Sequence, residues 1–246
     1  MIKDIKKIIR EAGKIALFHQ SRLTIDSKED KSIVTNGDVA VSKFLEKELS
    51  IWYPVLSEEN YNDCKEDIVF IVDPIDGTLS YSKKEDSWSV MISLVDKNEP
   101  VLGFIYQPTK DILFYTEDGS SYKDEKGVIS KLPKCNDDNL TAVISKNEKD
   151  NSGYMSKLLR ISPTIENFEY TYGAGLKICH VAEGKSSIYL STAQKCSIWD
   201  LMAGWAILRL CGGNIYFEKN YSLDRTKPLV SSNFYCSKFN LNEDEL

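Results

Sequence analysis

The segment Ile68–Thr78, IVFIVDPIDGT, constrains this chain more than any other. Ile68 to Val72 are all β-branched or aromatic, the composition of a buried strand. The run stops at Asp73-Pro74-Ile75-Asp76-Gly77-Thr78, which sets two carboxylates three residues apart around a proline, followed by a glycine and a hydroxyl. Carboxylates at the end of a buried strand are costly to desolvate unless a cation meets them. A hard divalent metal answers that need, because Mg²⁺ is held by one or two carboxylates together with substrate phosphate oxygens. The same letters also describe an ordinary strand followed by an Asp-Pro turn. The segment alone leaves both readings open.

Composition narrows the setting. A chain of 246 residues can bury a full core. Apolar content of 42% and charged content of 28% are ordinary for a soluble globular protein. No apolar run approaches the roughly 18 residues of a membrane span, and the N-terminus lacks a continuous apolar signal region. A cytoplasmic protein is expected. Six cysteines without a CxxC pair indicate neither a zinc site nor a disulfide framework. Two histidines leave little material for a His-based triad. A net charge of −6 disfavours nucleic acid polymers as partners. It does not exclude a small phosphorylated substrate, since a bound metal supplies local positive charge.

Along the chain, Ile2, Ile5, Ile8, Ile9, Ala12, Ile15 and Ala16 recur at helical spacing opposite a basic face, predicting an amphipathic helix packed on a core. A helix of this kind can also lie on a membrane surface, peripheral to the inner membrane; core packing is the first expectation. Residues 21–37 read as a polar connection. Thr35 or Asn36 then caps a second helix, with Asp38 in its first turn. Asp38 is explained by that cap alone, or by facing a metal-lined cleft. Pro54-Val55-Leu56 is a short strand tipped by Glu58-Glu59. Paired glutamates on a surface mean little by themselves, but two strand ends tipped with carboxylates can converge on one cation cluster.

After Thr78 a polar loop, LSYSKKEDS, precedes strands in Trp88–Val95, Val101–Tyr106, Ile112–Tyr115 and near Tyr122, separated by turn-rich breaks: an antiparallel meander. A basic, polar stretch then separates an α+β half, residues 1–135, from an α/β half, residues 136–246. In the second half strands alternate with helices: strands Leu140–Ser145, Phe168–Thr171, Ser187–Leu190 and Asn214–Phe217, and helices Ser152–Leu159, Leu176–Ala182 and Trp199–Leu210. Gly173-Ala174-Gly175 before a helix reads either as a tight turn or as a backbone-amide site for a ligand. Asp200 reads either as a helix cap or as a further carboxylate for the cluster.

Taken in order, Asp38, Glu58-Glu59, Asp73–Thr78 and Trp199-Asp200-Leu201-Met202-Ala203 resemble the signature of the lithium-sensitive, magnesium-dependent phosphatases of the inositol monophosphatase and fructose-bisphosphatase superfamily. The PVLSEE at 54–59, PVLG at 100–103 with YQP at 106–108, and GLKICHVAEGKSSIYL at 175–190 resemble its CysQ-like 3′(2′),5′-bisphosphate nucleotidase branch. The resemblance implies an α/β fold, the layered αβαβα sandwich of that superfamily, with a cleft between the halves. It implies two or three Mg²⁺ ions held by Glu58, Asp73, Asp76, Asp200 and the Ile75 carbonyl, with Glu59 behind them. It implies that Thr78, polarised by Asp38, orients and deprotonates the attacking water, and that the Gly77 and Thr78 amides hold phosphate oxygens. Gly173, Ala174, Gly175, Lys177 and Asp200 are the expected substrate-side residues. No nucleophilic Ser or Cys is needed in such a scheme.

The substrate residues depart from both branches. The glutamate that many inositol monophosphatases place seven residues before the WD aspartate is Ala193 here. The Ser-Arg-Ser-His segment of the nucleotidase branch reads Ser145-Lys146-Asn147-Glu148. An arginine of that branch is Thr192, and the lysine after DPIDGT is Leu79. Lys177 remains to meet a second phosphate. The expected function is Mg²⁺-dependent hydrolysis of a small phosphorylated nucleotide, 3′-phosphoadenosine 5′-phosphate, to AMP and phosphate, with no obligatory protein partner. The alternatives are a phosphatase of inositol or sugar monophosphates, and a catalytically idle nucleotide or metal sensor.

Overall fold

The computed structural model describes residues 1–27, 33–61, 64–132, 140–192, 196–218, 224 and 226–238. In chain order the first half contributes α1 (Ile2–Ser21), β1 (Ile25–Ser27), β2 (Ile33–Thr35), α2 (Asn36–Leu49), β3 (Val55–Ser57), β4 (Ile68–Asp76), α3 (Thr78–Ser82), β5 (Ser89–Asp96), β6 (Glu99–Gln107), β7 (Ile112–Glu117), β8 (Ser120–Glu125) and β9 (Val128–Lys131). The second half contributes β10 (Thr141–Ile144), α4 (Lys146–Lys149), α5 (Ser152–Ile161), β11 (Asn167–Tyr170), α6 (Ala174–Ala182), β12 (Ile188–Ser191), β13 (Cys196–Ser197), α7 (Ile198–Leu210), β14 (Asn214–Phe217), β15 (Leu229–Val230) and β16 (Phe234–Ser237).

β3 to β9 form a seven-stranded sheet in sequential order, parallel between β3 and β4 and antiparallel beyond, as the meander expectation requires. β11-β10-β12-β16-β14 form a mixed five-stranded sheet. Side-chain alternation shows how the layers stack. Along β4 and β5, Phe70, Val72, Val90, Ile92 and Leu94 pack with Ile5, Ile9, Val41 and Leu45 of α1 and α2. The alternate residues Val69, Ile71, Met91 and Val95 pack with Leu176, Ile178, Leu201 and Ile207 of α6 and α7. Both faces of these strands are therefore buried, which is why they read as unbroken apolar runs. Beyond α6 and α7 lies the five-stranded sheet, whose far face takes Tyr154, Leu158 and Ile161 of α5. The order is helix, sheet, helix, sheet, helix: the expected αβαβα sandwich.

α7 occupies the middle layer, and its sequence suits that place. Ile198, Leu201, Met202, Ala203, Gly204, Ala206, Ile207 and Leu208 are buried on several sides of the helix, the pattern of a helix enclosed by other elements. It comes down on β6 at Gly103, where an added Cβ would lie 2.2 Å from the Ala203 carbonyl oxygen.

Three local expectations are corrected. The polar connection at 21–37 contains the hairpin β1–β2, whose three-residue strands are too short to show a period. The polar loop after Thr78 begins with helix α3, because Ser80 and Tyr81 are buried and the Tyr81 hydroxyl donates to the Ala16 carbonyl at 2.7 Å. The separating polar stretch contains the second half of β8 and all of β9, joined by Lys126-Gly127, both at positive φ as a tight hairpin turn requires. β9 is an edge strand exposed along its whole length, so no apolar alternation marked it. The expected boundary near residue 135 lies outside the described residues. In the second half, β16 runs between β12 and β14 although no strand was expected there.

Because Gly103 leaves no room beside the Ala203 carbonyl, Gly103→Ala should push α7 off the sheet. The expected loss is about 1–3 kcal/mol, the usual scale of overpacking, read from urea unfolding; an unchanged midpoint would contradict this packing.

Candidate active site

β4 does not stop at Val72, as its apolar run suggests, but continues through Asp73-Pro74-Ile75-Asp76. Asp73 pairs with Met91 and Asp76 with Ser89, so three steps on β4 span two on β5. In a regular strand, residues three apart point to opposite faces. The one-residue bulge restores parity and turns both carboxylates to the same side. Pro74, with no N–H to offer a ladder, is tolerated at such a bulge. The Ile75 amide donates to Asp73 Oδ1 at 2.9 Å, fixing that carboxylate from within the motif.

The second half meets this strand end on. The amides of Ala174 and Gly175, in the first turn of α6, donate to Asp76 Oδ1 at 3.0 Å and Oδ2 at 2.9 Å. The helix dipole favours a carboxylate there. Gly173 sits at φ +76°, and a Cβ on it would come 2.6 Å from Asp76 Oδ2. The backbone of the Gly-rich turn is thus committed to a carboxylate of the other half. Ser89 Oγ, aligned with Asp76 by sheet register, adds a hydrogen bond at 3.3 Å. Its part was invisible until the register was known.

Asp200 enters from α7. It closes a capping box, accepting the Ser197 amide at 2.6 Å through Oδ2. Asp73, Asp76 and Asp200 each present a carboxylate oxygen within 4.8 Å of the others. Glu58 and Glu59 stand in a single 3₁₀ turn after β3. The charge of Glu58 reaches Asp73, Asp38 and Asp200.

Asp38 caps its helix and also meets Thr78. Its Oδ2 accepts the Thr35 amide at 2.8 Å and the Thr35 hydroxyl at 2.5 Å, capping α2. Its Oδ1 accepts from Thr78 Oγ1 at 3.5 Å, and that hydroxyl also lies 3.1 Å from the Ile75 carbonyl. Gly77, at φ +89° and with Ser87 O 2.8 Å from where a Cβ would stand, makes the turn that places Thr78 there. Lys177 projects from α6 to Glu148 Oε2 at 3.0 Å and lies 4.8 Å from the Tyr189 ring centroid. Ala193, where the inositol-contacting glutamate was expected to be missing, lies outside the described residues. Thr192 and Leu79 are described, Leu79 being half exposed.

Burial dominates the electrostatics. It pushes Asp38 and Asp200 up to about 7 and Asp76 to about 6, and raises Asp73 well above the carboxylate range. Hydrogen bonds oppose the rise at Asp38, Asp76 and Asp200, and Lys177 also opposes it at Asp76; mutual repulsion adds to it at Asp73 and Asp200. Several all-oxygen donors, buried or half-buried, convergent and pushed towards protonation, fit a hard divalent cation.

A scan against family models matches the inositol monophosphatase family over residues 2–232. The chain belongs to the inositol monophosphatase family. It is 30% identical over 254 residues to the 3′(2′),5′-bisphosphate nucleotidase CysQ of Buchnera aphidicola, covering 96% of this chain and 93% of that protein. It is 31% identical to the protein of that name from Salmonella typhimurium, over 92% of this chain and 94% of the other. The crystal structure of CysQ from Bacteroides thetaiotaomicron superposes with a TM-score of 0.76 at 28% identity, covering 95% of both chains. The chain is thus a phosphatase of this family with a likeness to its bisphosphate nucleotidases, as the sequence motifs imply.

The raised carboxylates set a pH dependence. A group whose folded-state pKa lies above its unfolded value binds more protons when folded, so stability falls as pH rises between the two. For Asp38, Asp76 and Asp200 that window runs from the ordinary value near 3.8 to about 6–7. Metal-free protein should therefore melt at a higher temperature at pH 5.5 than at pH 8, and added Mg²⁺ should raise the pH 8 value most. A metal-free melting temperature that climbs from pH 5.5 to 8 would contradict the assignment.

Proposed function

We propose that this chain is a Mg²⁺-dependent phosphomonoester hydrolase of the cytoplasm whose substrate is a small phosphorylated nucleotide, 3′-phosphoadenosine 5′-phosphate, released as AMP and phosphate. The observation that carries the proposal is the meeting of Asp73, Asp76 and Asp200 beside the Thr78–Asp38 pair. The nucleotide comes from the relatives that bear that activity in their names. No described helix is long and apolar enough to cross a membrane.

Phosphomonoester hydrolysis has a very high uncatalysed barrier. Its transition state is loose, with charge spread over phosphoryl and leaving oxygens, so positioning and electrostatics do most of the work. Asp73, Asp76, Asp200, Glu58 and the Ile75 carbonyl are the groups that would hold Mg²⁺, two or three ions in all. When bound, the metal supplies positive charge for the attacking and leaving oxygens. The proton path belongs to the chain. The new P–O bond forms from water as the ester P–O bond breaks; the water proton passes to Thr78 Oγ1, whose own proton passes to Asp38, and the leaving oxygen takes a proton from solvent water to become the product hydroxyl. A carboxylate with its proton affinity raised to about 7 suits a base working near neutral pH. Asp38 remains anchored by Thr35 throughout, so the transfer requires no movement of α2.

A phosphate-release panel in Mg²⁺ tests the assignment. Turnover of 3′-phosphoadenosine 5′-phosphate should exceed that of inositol 1-phosphate. Equal turnover would overturn the nucleotide reading, and release from no phosphomonoester would favour a sensor. Thr78→Val should lower kcat by a factor of about 10²–10⁴, the usual scale for a positioned proton-transfer group, with the melting temperature unchanged. Asp76→Asn should abolish activity too. It also removes an acceptor from the α6 amides, so some loss of stability should accompany it.

A further inference from the structure

Thr78 and Asp38 stand on different elements, and their contact is a long one. Thr78 opens α3 after the turn at Gly77, and Asp38 lies in the first turn of α2. Thr78 Oγ1 is 3.5 Å from Asp38 Oδ1, at the edge of what a hydrogen bond between oxygens allows. A small shift of one helix against the other would break it. The local bonds do not prevent such a shift. Thr35 holds Asp38 to its own helix cap, and the Ile75 carbonyl holds Thr78 to its own strand end.

Tyr81 spans the gap. It lies three residues after Thr78, the spacing that sets two side chains on one face of a helix, and its amide donates to the Gly77 carbonyl at 3.0 Å. Its ring is fully buried and meets the fully buried Trp88 edge-on, with centroids 4.9 Å apart. The hydroxyl reaches out of α3 to two other helices. It donates to the Ala16 carbonyl of α1 at 2.7 Å. Its oxygen is in hydrogen-bond contact with the Thr35 hydroxyl, and the charge of Asp38 reaches it. A Cβ on Gly37, the neighbour of Asp38, would stand 2.2 Å from that oxygen. The hydroxyl therefore rests against the backbone of the first turn of α2. The Thr35 hydroxyl in turn donates to Asp38 Oδ2 at 2.5 Å. One side chain thus ties the turn that carries Thr78 to the cap that carries Asp38, and anchors both to α1. A buried hydroxyl costs free energy unless it is hydrogen-bonded, and here its contacts fall on the helix cap that holds Asp38.

We propose that Tyr81 is a positioning residue of the hydrolytic reaction, whose hydroxyl keeps the Thr78 turn and the Asp38 cap at the separation that proton transfer between them requires. It acts through Thr35 and Asp38 rather than on the substrate. The inference rests on the reading of Thr78 and Asp38 as the proton-transfer pair.

The test is Tyr81→Phe, which removes the oxygen and leaves the ring against Trp88. Phosphate release is measured in saturating Mg²⁺, well below the melting temperature, with whichever phosphomonoester the wild-type protein turns over fastest. The value of kcat should fall about tenfold while KM stays unchanged, the signature of an interaction realised only in the transition state. On a Thr78→Val background the same substitution should leave the residual kcat unchanged, because the pair it positions is already gone. An unchanged kcat in Tyr81→Phe alone overturns the proposal. So does an equal fall on both backgrounds, which is what a general loosening of the fold would give. If Tyr81→Phe does not fold, Gly37→Ala serves in its place: its methyl group crowds the hydroxyl out of its seat and keeps the ring, and the same outcomes decide. Wild-type protein that releases no phosphate from any ester overturns the functional reading instead. Crystal structures of wild type and Tyr81→Phe then decide the positioning: a wider Thr78–Asp38 separation in the variant upholds it, and an equal one overturns it.

Discussion

Asp76 is a carboxylate of one half of the molecule whose oxygens are held by backbone amides of the other. The Ala174 and Gly175 amides bind Oδ1 and Oδ2 separately, so the carboxylate is fixed in rotation as well as in position. Charge-assisted bonds of this kind are among the stronger in proteins. They also oppose the effect of burial, which would otherwise drive Asp76 to protonate. The remaining architecture serves this contact. The bulge in β4 brings Asp73 to the same side, the αL turn at Gly77 places Thr78 after it, and Gly173 lets the second half approach without a side chain in the way.

Secondary-structure ends carry most of the site. Asp38 and Asp200 each close a capping box at the start of a helix. Each uses Oδ2 for the cap, and at Asp38 the other oxygen, Oδ1, accepts from Thr78 Oγ1. A capping carboxylate is preorganised, since its rotamer is set by the helix it begins. That economy explains why structural and functional readings of these aspartates were equally good: a cap occupies one oxygen of the side chain and does not compete for the other. Glu148 follows the same scheme at α4, but there a single oxygen takes both the cap and the ion pair.

Much of this was legible before any coordinates. The motifs around Asp38, Glu58, Asp73–Thr78 and Asp200 pointed to the sandwich, and the apolar runs marked the meander and the main helices. What stayed hidden has physical causes. β1, β2 and β9 are too short or too exposed to carry a period. The bulge could not be read from DPID, because parity depends on the register with β5. Lys177 was visible as a cation, but its neutralisation was not. That depends on a capping glutamate 29 residues earlier, and no local pattern links the two.

This last point bears on how the charges around the cluster are encoded. The carboxylates of the cluster are tied down by backbone hydrogen bonds, and the sequence motifs around them show in any member that keeps them. The groups bordering the cluster are tied to one another through side chains, so a change at one position alters the meaning of another without altering its identity. Lys177 is the same residue whether Glu148 faces it or not; only in the second case is it a free cation for a phosphate. The reach of a charge at the border of such a framework is therefore a property of pairs. A single-position reading of Lys177 assigns it to the substrate, whereas in this chain its ammonium is paired with Glu148.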